Sequence, residues 1–143
     1  MSYTKVKNDI IAAATNGTVG FASAKHGYLS ELNDGDIDYP ILLLTPPDKQ
    51  YNLNVGGYDF YNIVLYAVAL NEVNDDVTNN DERTDVWDDM DKKVQGLLFK
   101  LQETNEEYIV SSDVRIEPNA HQFNDDTILI KARFQLQLDL DAC

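Results

Sequence analysis

The sequence predicts an α+β fold: a mostly antiparallel sheet with a long hairpin, one long helix packed on one face, and a short N-terminal helix. Three observations carry this. The stretch Ile128 to Leu140 puts apolar side chains at even positions and, apart from Leu129, polar ones at odd positions, which is the period of a half-buried strand. YNLNVGGYDFYNIVLYAVAL, residues 51–70, sets Gly56-Gly57 between two apolar runs, a two-residue hairpin signal. Val86, Trp87, Met90, Val94, Leu97, Leu98 and Leu101 recur at helical spacing, which predicts a helix over 82–103.

The remaining elements follow in chain order. Val6, Ile10, Ile11 and Ala14 mark a short amphipathic helix over 3–15, stopped at Asn16-Gly17. Residues 16–38 are rich in Gly, Asn, Asp and Ser and read as mostly irregular, with a short element expected around 28–32. YPILLLT, residues 39–45, is apolar on both faces and closed by Pro46-Pro47, so it reads as a strand buried on both sides. In the hairpin, a two-residue turn would set Val55 opposite Tyr58 and Leu53 opposite Phe60. Residues 71–85 hold six acids and one arginine and read as an acidic loop. Asp81, Glu82, Asp85, Asp88 and Asp89 crowd the start of the long helix, where its dipole favours negative charge. Asn79 and Glu82 have capping-box spacing. Residues 108–117 alternate again and predict one more strand before the last.

The 143 residues fit a single α+β domain, 1–143, with the acidic 71–85 loop as its one marked charge run. No stretch approaches the roughly 20 apolar residues of a membrane span, so no membrane partner is expected. The lone Cys143 excludes an intrachain disulfide and suits a reducing cytoplasm. Twenty-five acids against eleven bases give a formal charge of −14, which argues against gripping a nucleic-acid backbone. An acidic wall instead lets DNA pass without sticking.

No nucleotide-binding, zinc-protease or hydrolase motif occurs. His26 and His121 lie in polar contexts far from Cys143, so no nucleophile pair is expected, and the chain is expected not to be an enzyme. Asp34, Asp36 and Asp38 alternate as calcium ligands do, but the glycine falls at the second position of the loop and no glutamate stands at the twelfth. A solvated turn is the expectation there, with no metal and no cofactor.

The length of the last strand is the main clue to function. A compact domain of this size is about 37 Å across. Thirteen strand residues span roughly 43 Å. One helix can cover one sheet face but not also the Ile63–Ala69 face of the hairpin. Either the N-terminal helix and residues 16–38 form a second layer, or another copy of the chain does.

The N-terminal helix, the YPILLL strand, the VGGYDFYNIVLYAVAL hairpin, the DVWDDMDKKVQGLLFKL helix and the closing pair ending in ARFQLQLDL follow one another in a layout that resembles the tail-terminator and neck-ring (head–tail joining) proteins of tailed bacteriophages. The resemblance implies a structural virion protein, assembled in the host cytoplasm, forming a homo-oligomeric ring (hexamer or dodecamer) that contacts other tail or neck proteins while DNA passes without specific binding. It leaves open whether the ring is terminator, stopper or connector. The expected subunit interface is Ile63, Leu65 and Ala67 with Phe134, Leu136 and Leu138. The expected lumen-facing acids are Asp75, Asp76, Asp81 and Glu82. The alternative is an acidic monomeric or dimeric binding module, a DNA mimic or host-protein inhibitor. A metal-dependent hydrolase would need the 34–38 and 71–85 acids to converge on a cation.

Overall fold

The computed structural model describes residues 3–28, 37–51, 58–70, 80–104, 108–110, 113–118 and 127–139. The order is α1 (Tyr3–Ala14), β1 (Ser23–His26), β2 (Ile41–Leu44), β3 (Asp48–Tyr51), β4 (Tyr58–Leu70), α2 (Asn80–Thr104), β5 (Tyr108–Val110), β6 (Arg115–Pro118) and β7 (Thr127–Asp139). The fold is α+β, as expected: two helices and a mostly antiparallel seven-stranded sheet.

The axis of the sheet is β4 against β7, thirteen residues each, antiparallel and paired along their whole length. This explains the long terminal strand. On the other edge of β4, β2 pairs with Leu65–Val68 and β3 with Asp59–Asn62, end to end. On the other edge of β7, β5 pairs with Leu136–Leu138 and β6 with Ile130–Arg133. Two long strands are thus flanked on each side by two short ones. The parallel strand β1 completes one side.

Both helices cover one face. Val6, Ile10, Ala13 and Ala14 of α1, Val19 and Phe21 after it, and Met90, Val94, Leu97 and Leu101 of α2 close over Tyr61, Ile63, Leu65 and Ala67 of β4 and Ile130, Ala132, Phe134, Leu136 and Leu138 of β7. On the opposite face Ile41, Leu43, Tyr66, Val68 and Leu129 form a smaller cluster, with Ile37, Tyr39 and Val64 packed against it. Toward the β3 and β6 side this outer face turns polar: Asn62 and Arg133 are exposed.

α1 ends where the Asn16 side chain accepts hydrogen bonds from the Thr18 N–H (3.0 Å) and hydroxyl (2.7 Å), a local turn that competes with another helical turn. Gly20 follows at φ 97°, a conformation glycine adopts without steric cost. The chain then reaches β1, which the sequence does not reveal. Gly27 N–H to the Leu44 carbonyl (2.9 Å) extends the β1–β2 ladder by one bond. The element expected at 28–32 falls mostly on residues outside the description.

The hairpin has a different register from the one its glycines suggest. The partner of Phe60 is Gln50, three residues earlier than Leu53, and Lys49 faces Tyr61. A slip by an odd number exchanges the faces of a strand. Lys49 therefore lies on the helix side, beside Tyr61 and Asp59. Gly56-Gly57 lie outside the described residues. Residues 108–117 are also not one strand. Between β5 and β6 the edge carries two more residues than β7 opposite, so pairing breaks while the inward positions Tyr108, Val110, Val114 and Ile116 keep their face.

Candidate functional surface

The six residues expected to meet a neighbouring subunit do not face one. Ile63, Leu65, Ala67, Phe134, Leu136 and Leu138 are each no more than 5% exposed and packed under α1 and α2. The physical reason is that β4 is apolar on both faces. Its odd positions take α1, the turn after it and α2, all on one face of the sheet, while its even positions Tyr66 and Val68 belong to the smaller cluster on the other face. Of the expected lumen acids, Asp75 and Asp76 lie outside the described residues. Asp81 and Glu82 belong to the first turn of α2 rather than to a loop, because the helix begins at Asn80. Asp85, Asp88 and Asp89 extend this acidic end and are exposed.

An exposed apolar cleft lies at the sheet edge instead. α2 buries Met90, Val94, Leu97 and Leu101 against the sheet. Beside that stripe, Leu98 and Phe99 with Val110, Val114 and Ile116 of the β5–β6 edge line a cleft of about 340 Å³. Phe99 is 71% exposed, and Ile109 on the same edge is 49% exposed. Asp91 lines the cleft too, its carboxylate accepting a hydrogen bond from the Gln95 amide at 3.1 Å. A single exposed apolar residue means little. A cleft walled by several is a candidate docking place. On the far side of the sheet, β1 exposes Lys25 and His26, and Tyr28 just beyond is 59% exposed.

No family model and no curated protein matches the chain.

The outer sheet face carries a shallow hollow lined by Asp48, Asn62, Asp113, Arg115, Arg133 and Gln135. Arg115 and Arg133 stand directly opposite one another across β6 and β7. Next to them Lys131 lies over the Tyr66 ring, 5.7 Å from its centre, and faces Glu117 across the ladder.

A second polar cluster lies where α1 begins. The Lys49 ammonium is 3.1 Å from the Asp59 carboxylate and lies over the Tyr61 ring. Tyr3 meets Tyr61 edge-on at 5.7 Å. Asp9 accepts hydrogen bonds from Lys5 (2.8 Å) and the Tyr108 hydroxyl (2.6 Å). Burial works to lower the Lys49 pKa, but the Asp59 hydrogen bond and the charge and hydrogen bond of the Tyr61 phenol oxygen outweigh it and hold it above the ordinary lysine value. Burial raises the Tyr61 pKa, and Lys49 offsets part of that. These groups neutralise one another. They tie α1 to β5 and β3 to β4, which is a structural task.

Asp38 is exposed, while Asp34, Asp36, His121 and Cys143 lie outside the described residues. Among the described residues no three His, Cys, Asp or Glu side chains are grouped to hold a metal. No helix among them is long and apolar enough to cross a membrane. Trp87 packs against the core as expected, although its buried Nε1 has no hydrogen-bond partner among the described residues.

Proposed function

We propose that the chain is a structural virion subunit that assembles with copies of itself into a ring at the phage tail end or neck, shaping an acidic conduit for DNA. The observation that carries this reading is the apolar cleft at the β5–β6 edge, with Phe99 71% exposed beside a helix-side sheet face that is filled from within. Burying one such side chain contributes about 1.5–3 kcal/mol, so covering the cleft favours association. The element order supports the reading through its likeness to ring-forming neck and tail proteins. The charge of −14, with acids concentrated at the start of α2, suits a wall that DNA slides along. Contact between copies runs through the sheet edges rather than through the six core residues.

One observation favours the acidic binding module as a second reading. More of the acids stand on a rigid helix than a loop would allow, since α2 starts at Asn80. Electron microscopy of the purified, negatively stained protein separates the two. Annuli with a central opening are expected from the ring subunit. Isolated small particles at every concentration would favour the module.

A further inference from the structure

Resting on the ring reading, we propose that Tyr28 of one copy seats in the α2–β5–β6 cleft of the next, so that the copies join head to tail. The cleft supplies an apolar wall, with Phe99 and Val114 at its two sides, and an acid, Asp91. On α2 beside it Asp85, Asp88 and Lys92 are exposed. An apolar group with a cation next to it complements the cleft wall and Asp91. This chain carries that combination at its opposite edge, where the aromatic Tyr28 follows the exposed Lys25 and His26. Gly27 N–H, bonded to the Leu44 carbonyl at 2.9 Å, anchors the chain one residue before Tyr28 and aims it from a fixed strand.

The strand order β1-β2-β4-β7-β5 puts knob and cleft four strand spacings apart, roughly 19 Å. A two-fold contact would seat both knobs reciprocally and stop at a dimer. Used in one direction only, the opposite-edge contact is heterologous and closes into a ring or runs on as a filament. Backbone pairing between the edges is disfavoured. β6 presents Arg115, Glu117 and Pro118, and β1 is four residues long with Lys25, features that block strand addition. Side chains, not a continuous ladder, make the joint.

The test is disulfide trapping in the full chain with Cys143→Ser. The double variant Tyr28→Cys/Phe99→Cys should form a covalent ladder on mild oxidation, ending at the copy number of the ring. Mixing the two single variants should give only cross-linked pairs, and neither alone should cross-link. Phe99→Ser, exposed and so expected to fold, should weaken association about tenfold or more. Lys25→Glu should weaken it too, and Lys25→Glu/Asp91→Lys should recover it. Self-linking of Phe99→Cys alone, or a double variant that stops at a covalent dimer, would overturn the proposal in favour of a two-fold contact. Annuli that persist in Phe99→Ser, with no ladder from the double variant, would overturn it while leaving the ring standing. Cross-linking to a different virion protein in place of the ladder would overturn it as well. A wild-type chain that stays monomeric would remove both.

Discussion

The Lys49 ammonium lies 3.1 Å from the Asp59 carboxylate, with the two side chains only 13% and 6% exposed. The pair exists because the β3–β4 register brings Lys49 to the helix side of the sheet. Breaking it from one side strands a buried charge, which costs about 3–5 kcal/mol. Lys49→Met is expected to destabilise the chain by that order, and Lys49→Met/Asp59→Leu to recover most of it, measured by urea unfolding with an unchanged slope. The pH dependence has a definite sign. Lys49 has a raised folded pKa, so its contribution is complete below the unfolded value near pH 10.4 and is lost as pH climbs through the folded one. Tyr61, also raised, keeps its proton when the unfolded chain would release it near pH 10, so unfolding is favoured there too. Stability from this pair should hold from pH 6 to 9 and fall above about pH 10. Lys49→Met should flatten the lysine part of that fall.

Leu65 and Phe134 lie under the helices, within the larger core cluster. Leu65→Ala is expected to cost about 2–5 kcal/mol and Phe134→Ala about 3–5 kcal/mol of folding stability. Thermal or urea unfolding at a concentration too low for association checks this. Variants that kept full stability and lost only assembly would show these residues to be contact surface after all.

Arg115 and Arg133 oppose each other across β6 and β7, and both are exposed. Like charges directly opposite destabilise a strand pair. Arg115→Glu should therefore stabilise the fold by about 0.5 kcal/mol at low salt, less at high salt. Arg115→Glu/Arg133→Glu, which sets two carboxylates opposite each other beside Asp48 and Asp113, should fall below the starting value. The urea midpoint at two ionic strengths reads the effect.

Strands with a strong period were legible from sequence, and so were both helices. Ile128–Leu138 alternates because one face is buried and the other is wet, and α2 shows its stripe for the same reason. β1 was not legible, since Ser23–His26 is short, polar and held mostly by its neighbour β2. The β3 register was not legible either. Asp48–Tyr51 has no period, and the glycines point to a tighter turn than the pairing allows. The subunit residues failed for a related reason. β4 is apolar on both faces, so its pattern does not say which face the helices take. The cleft was not legible either: Phe99 falls outside the α2 stripe, but one apolar residue off the buried face means little until β5 and β6 are placed beside it.

The copy number of the assembled chain tests the central claim most directly. Native mass spectrometry of the purified protein, across the micromolar range and at low salt, should give one closed stoichiometry, six or twelve copies. A monomer at every concentration, or an open series of sizes with no closed species, would contradict it.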